Sequence, residues 1–199
     1  MGVEEVNKDF KLAFEGLSQA EQTDLTAIVA RVAALSKAAA DGTIGNRTTW
    51  FGSLHSSAVV SEGLKTLSKY INEKCLRLTF VRKHTGQIVD QVAAEVSDYG
   101  QVLPNINQTI ANFVRSAPHV SSGLRIYAMN EIVDAIATND RKEKLNYVYH
   151  EITHKVLDTV DYEYGESSCK KLATDDPKSA IRNADNWGYY LAELDSVVP

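Results

Sequence analysis

Cysteine is scarce in this chain. Cys75 and Cys169 are its only two, which excludes a disulfide framework, although one bridge between them stays open and the compartment stays open with it. Long hydrophobic runs are missing: no stretch of 18 or more apolar residues occurs, and the start MGVEEVNKDFKLAFEGLS is acidic and amphipathic where a secretory signal is basic and then apolar. Neither a membrane span nor a signal is expected, so the localisation reading is cytoplasmic, or exported by a signal-independent route. An excess of positive charge is also lacking. The 21 Lys and Arg against 26 Asp and Glu give a net charge of −5, so a nucleic-acid partner held by a basic face is set aside. Residues 158–199 hold four basic and nine acidic side chains, which accounts for the whole imbalance.

What is present suits a core of one domain: 44% of 199 residues are apolar. Over 18–40, Ser18 and Glu21 have capping-box spacing, and Leu25, Ile28, Val29, Val32 and Leu35 recur at helical spacing. Asp41-Gly42 ends that helix, and 43–53 reads as a loop. A second helix is expected over 56–73. Leu76, Leu78 and Phe80 alternate with Arg77 and Thr79, which suggests a strand before a turn at His84-Thr85-Gly86. Residues 87–122 are ambiguous, 124–129 reads as a strand, and 141–157 is a clear helix on Leu145, Val148, Tyr149, Ile152 and Val156.

That last helix contains His150-Glu151-x-x-His154. Residues i and i+4 share a helix face, about 5–6 Å apart at Cβ, so the two imidazoles can converge on one tetrahedral Zn2+. Glu151 projects beside them, where a carboxylate can act as general base towards a zinc-activated water. Catalytic zinc takes a third protein ligand. Asp158 continues the ladder but, in an unbroken helix, would lie about 12 Å from His150 along the axis. The helix must therefore end and the chain fold back, which favours Asp161; Asp158, Thr159 and Val160 are poor enough helix formers to permit the break. Read from the residues alone, a helix with two surface histidines and a solvated glutamate stays open.

The sequence Asp158-Thr-Val-Asp161-Tyr-Glu-Tyr164-Gly165 resembles the second motif, Gly-Thr-x-Asp-x-x-Tyr-Gly, of the aspzincin metallopeptidases, the deuterolysin and peptidyl-lysine metalloendopeptidase family. Thr49-Trp50-Phe51-Gly52 resembles an early segment of that family, and Ala180 with Asn183-Ala184-Asp185-Asn186-Trp187 resembles its closing helix, so the likeness spans roughly 48–194. The resemblance implies that Asp161 is the third zinc ligand, that Tyr164 stabilises the oxyanion of the tetrahedral intermediate, and that Asp185 binds a basic substrate side chain. Two positions depart from the pattern. Asp158 replaces a Gly, a change that a left-handed turn tolerates. Gly188 stands three residues after Asp185 where lysine-specific members carry an acid, so strict lysine specificity is not expected.

The fold expected is α+β, a zincin-like metalloprotease domain, mostly helical with a small sheet, with residues 1–42 as an N-terminal helical extension and 43–199 as the metallopeptidase domain. The activity expected is zinc-dependent endopeptidase action on protein or peptide substrates, with some preference for basic residues from the acidic tail, one Zn2+ ion, and no nucleic-acid or membrane partner. A delivered effector toxin with an immunity or inhibitor protein is one biological setting. A metal-dependent amidase on cell-wall peptides and a non-catalytic metal-binding module are the rival readings. His55, His84 and His119 lack ligand spacing and read as ordinary surface or loop residues. Trp50 and Phe51 read as core contacts against the catalytic helix, and the two cysteines as buried sulfur.

Overall fold

Alternating apolar residues build a four-stranded sheet. A computed structural model describes residues 3–7, 10–15, 17–42, 45–72, 77–82, 123–128 and 140–199. Strands β1 (Val3–Asn7) and β2 (Phe10–Glu15) form an antiparallel hairpin, β2 runs parallel to β3 (Arg77–Arg82), and β3 runs parallel to β4 (Gly123–Ala128). The register sets Leu12 beside Leu78 and Phe14 beside Phe80, and the period of two turns all four to one face. All four are buried, and the two phenylalanine rings stack with centroids 5.7 Å apart.

The segment expected as a helical extension thus carries two strands as well as its helix. The cause lies in Phe10, Leu12 and Phe14, a strand-type alternation just ahead of the helix cap. Helix α1 (Gln19–Ala40) starts as its sequence predicts: the Ser18 hydroxyl accepts from the Glu21 N–H and the Glu21 carboxylate accepts from the Ser18 N–H. Its buried Leu25, Ile28, Val29, Val32 and Leu35 belong to the same apolar cluster as Leu145, Val148 and Ile152, so the core is continuous across residue 42.

The stretch 43–53, expected as a loop, contains α2 (Arg47–Phe51), capped by the Asn46 side chain and followed by a tight turn over Gly52–Leu54. Trp50 and Phe51 are buried, and their rings meet the closing helix: Phe51 meets the Trp187 and Tyr190 rings at 4.7 and 5.4 Å, and Trp50 stacks on Tyr189 at 5.5 Å. Burying an aromatic side chain of this size is worth about 2–3 kcal/mol, so this contact fixes the chain's last helix firmly.

Helix α3 (Ala58–Asn72) packs on α1, and α4 (Arg141–Leu157) packs on α1, α3 and the closing helix. Asp140 caps α4, accepting from the Glu143 N–H at 3.1 Å. Helices α5 (Glu166–Asp175), α6 (Pro177–Arg182) and α7 (Ala184–Leu194) complete the described chain. The closing helix that Ala180 and Asn183–Trp187 resemble is therefore two, separated at Asn183, whose extended backbone (φ −87°, ψ 122°) serves the turn described below. No helix among the described residues is long and apolar enough to cross a membrane. The turn at His84–Gly86, the ambiguous stretch 87–122, Cys75 and His119 lie outside the described residues. Cys169 is buried and free, with burial pushing its thiol up to about 12.

Candidate metal centre

Helix α4 presents His150 and His154 on one face, as their spacing requires, and the chain beyond the helix brings Asp161 back to them. His150 Nε2 and His154 Nε2 lie 3.0 Å apart, and each is 3.2 Å from Asp161 Oδ1. Tetrahedral zinc with bonds of about 2.0–2.1 Å holds its ligand atoms about 3.3 Å apart. Two imidazole nitrogens and one carboxylate oxygen at this separation fit that ion in both chemistry and size.

Each histidine is oriented through its other nitrogen. His150 Nδ1 lies 2.6 Å from Asp185 Oδ1, and His154 Nδ1 lies 2.8 Å from the Thr159 carbonyl oxygen. With Nδ1–H donating to these acceptors, the Nε2 lone pair of each ring faces the shared point.

The turn that returns Asp161 begins at Asp158, which caps α4 in the left-handed region at φ 55° and ψ 40°. It is the one non-glycine residue with positive φ among the described residues, and aspartate is among the few side chains that tolerate it. Beyond it, Thr159 is buried with its hydroxyl 2.8 Å from that of Thr153. The Val160 N–H donates to the Arg182 carbonyl, and the Val160 carbonyl accepts from the Ala184 N–H. Asn183 completes the clamp: its Oδ1 accepts from the Tyr162 and Glu163 N–H groups at 2.8 and 3.1 Å, and its Nδ2 donates to the Glu163 carbonyl at 2.9 Å. The break between α6 and α7 exists where this side chain and its backbone hold the ligand-bearing turn.

Charge follows geometry. Burial pushes His150 down, but the Asp161 and Asp185 carboxylates outweigh it and raise the imidazole to about 10. His154 is likewise raised, Asp161 overcoming the effect of burial. Burial alone would raise Asp161, yet its two histidine partners hold it far below the ordinary carboxylate range. Before metal binds, the three groups are a charged, hydrogen-bonded cluster. Glu151 is 38% exposed at its side chain, with Oε1 3.9 Å from His150 Nε2. Tyr164 is 64% exposed and its ring stacks beside His150 with centroids 6.2 Å apart. Partial desolvation of the hydroxyl, its hydrogen bond with Asp161 and the Asp161, Asp185 and Glu151 charges push it up to about 12, so it holds its proton at neutral pH.

Five of the six site residues expected from sequence thus gather around one point, and the sixth supports them from behind. Asp185 is that sixth residue. It is 3% exposed, with one oxygen on His150 and the other accepting from the Gly165 N–H at 2.8 Å. Both carboxylate oxygens are thus engaged, one by the His150 imidazole and one by the backbone of the ligand-bearing turn. Thr153, Thr159 and Asn183 were not singled out from sequence; the latter two lie inside the motifs, but nothing in their spacing shows what they hold. His55 sits in its own turn, its Nδ1 2.9 Å from the Gly52 carbonyl.

A ligand-bearing helix of the His-Glu-x-x-His type, a return turn carrying the third ligand and a mostly helical surround define a zincin-like peptidase fold. The sequence pattern of the lysine-specific metallo-endopeptidases, the aspzincins, matches residues 36–192, and the chain belongs to that family. Zinc is the metal of the family, and His150, His154 and Asp161 form a site able to hold it. A peptidyl-Lys metalloendopeptidase from Armillaria mellea is 46% identical over 43 residues, which are 21% of this chain and 12% of that protein. The chain thus matches about an eighth of that relative's length. The solved zinc peptidase from Grifola frondosa superposes with a TM-score of 0.53 at 20% identity, over 92% of this chain and 100% of that one, a likeness of fold.

Proposed function

We propose that the chain is a zinc-dependent endopeptidase in which Glu151 is the general base and Tyr164 the oxyanion donor. The observation that carries the proposal is the convergence of three ligand atoms at 3.0–3.2 Å with both histidines already oriented through Nδ1. The bound ion supplies Lewis-acid chemistry, acidifying water towards a pKa of about 7. Glu151, open to solvent beside the ligands, accepts the proton of the attacking water and returns it to the departing amine. Tyr164, protonated at neutral pH, donates its hydroxyl proton in a hydrogen bond to the carbonyl oxygen as negative charge develops there. Asp185 and Thr159 keep the imidazoles from turning as that charge moves. A protein or peptide is the substrate. No side chain of the centre bears on delivery by a secretion machine, so the proposal is confined to the chemistry.

Glu151→Gln is the decisive variant. It keeps the size of the side chain and removes the base, so cleavage of casein should fall by about 10²–10⁴ while one zinc per chain is retained, measured by fluorescent-substrate hydrolysis and metal analysis. Survival of hydrolysis in that variant would overturn the mechanism. Purified peptidoglycan assayed beside casein separates an endopeptidase from a cell-wall amidase.

A further inference from the structure

Two hydroxyl groups behind His154 form a hydrogen-bond chain whose direction the geometry fixes. Thr153, just before His154 on α4, is fully buried, and Thr159, on the return turn, is 6% exposed. Thr153 Oγ1 lies 2.7 Å from the His150 carbonyl oxygen and 2.8 Å from Thr159 Oγ1, which lies 3.3 Å from His154 Nδ1. A carbonyl oxygen only accepts, so the one hydroxyl proton of Thr153 goes to His150. Thr159 must then supply the proton between the two hydroxyls. With that proton committed, Thr159 Oγ1 turns a lone pair towards His154 Nδ1, beside the Thr159 carbonyl oxygen at 2.8 Å. Both oxygens that meet Nδ1 therefore accept, and the nitrogen carries the hydrogen.

Thr153 is what keeps this order. Among the described residues, the partners of Thr159 Oγ1 are Thr153 Oγ1 and His154 Nδ1. Without the Thr153 hydroxyl, the Thr159 proton sits in a buried place with one acceptor left, and a buried donor left unsatisfied is costly. It turns to His154 Nδ1. A neutral ring that accepts at Nδ1 carries its own hydrogen at Nε2, the nitrogen that meets His150 and Asp161 at the shared point. A metal ion must then displace that hydrogen before it can bind. Thr153 occupies one of the two unspecified positions of His-Glu-x-x-His, so the motif does not call for its hydroxyl; the packing of the return turn does.

We propose that Thr153 is a positioning residue of the zinc site: by accepting the Thr159 hydroxyl proton, it keeps the hydrogen of His154 on Nδ1 and the Nε2 lone pair open to the metal. It touches neither metal nor substrate and acts through Thr159. The assignment rests on the centre of His150, His154 and Asp161 that the endopeptidase reading requires.

The test is the zinc affinity of the full chain, read by competition with a chromophoric chelator, which needs no turnover. Thr153→Val keeps the shape of the side chain and should weaken zinc binding about tenfold, the lower end of what losing a partner behind the ligands costs. Thr153→Ser keeps the hydroxyl and should stay within about twofold of the parent, the scatter of uncoupled substitutions. The sharpest comparison adds Thr159→Val to Thr153→Val. The competing proton is then gone while the backbone carbonyl of residue 159 still accepts from His154, so the double variant should bind zinc more tightly than Thr153→Val alone. Two substitutions that merely loosened the turn would add their losses. Melting temperatures of the zinc-free proteins check folding, and if Thr153→Val does not fold, Thr153→Ala with and without Thr159→Val carries the same comparison. Parent-like affinity in folded Thr153→Val, an equal loss in Thr153→Ser, or a larger loss in the double variant would each overturn the proposal and leave the endopeptidase reading intact. A parent chain that binds no zinc would overturn the centre itself.

Discussion

Asp185 follows His150 by 35 residues yet its Oδ1 lies 2.6 Å from the imidazole Nδ1. A carboxylate in that place fixes the tautomer and the tilt of the ring and raises its basicity as a ligand. Asp185→Ala should weaken zinc binding by about 10–100-fold, read by competition with a chromophoric chelator. An affinity equal to that of the parent would show that the Gly165 N–H contact is the only use of the residue. The ligands themselves were legible, because His150 and His154 are joined by helix geometry and Asp161 by a short turn. The role of Asp185 was not, since it depends on where α7 starts relative to α4, a fact of packing that no local pattern carries. The same holds for Thr159, which orients His154 with a backbone carbonyl that any residue possesses.

At the scale of elements, the α4–α7 crossing shows how closely the two helices approach. Gly188 sits over Asn146, and an added Cβ would stand 2.0 Å from Asn146 Oδ1 and 2.8 Å from its backbone oxygen. The side chain can turn away, whereas the backbone cannot. Replacing Gly by Ala in a helix gains about 1 kcal/mol of propensity, and forcing a methyl into a filled contact costs about 1–3 kcal/mol. The clash should win, so Gly188→Ala should lower stability in urea melts, and Asn146→Ala in the same chain should restore part of the loss. Equal midpoints for the parent and Gly188→Ala would show that the helices slide apart at little cost. Helices α1, α3 and α4 were legible from apolar spacing and caps to within a residue or two. The division of the closing helix was not, because Asn183 breaks it to serve hydrogen bonds 20 residues away. The hairpin β1–β2 was missed for another reason: it gains its meaning only when Leu12 and Phe14 find Leu78 and Phe80 on β3.

Across the whole molecule, one carboxylate joins three separate parts. Asp195, just past α7, accepts from Arg31 Nε of α1 and from Arg141 Nε at the start of α4, each at 2.5 Å. Arg31 also donates to the carbonyl oxygens of Val198 and Pro199. The hydrogen bond from Arg141 holds the Asp195 carboxyl below the usual carboxylate range; burial opposes this, and Arg31 adds to it. A carboxyl lowered on folding contributes its stability in full above its unfolded pKa of about 4 and loses it as pH falls through the lower folded value. The part that α1, α4 and the chain end draw from Asp195 is therefore present at neutral pH and fades in acid. The pair is partly exposed, so about 0.5–1 kcal/mol is the scale after solvent screening. Asp195→Asn should lower the unfolding free energy from urea melts at pH 7 by that amount, and the gap between variant and parent should narrow as pH falls below about 4. Added salt should narrow it at pH 7 as well, since ion pairs at a surface are screened within about 10 Å at 0.1 M. Asp161 is also held low and contributes to the acid limb of both proteins, so the difference between them isolates Asp195. A gap that stayed constant from pH 7 to pH 2 would mean that Asp195 acts by packing rather than by charge.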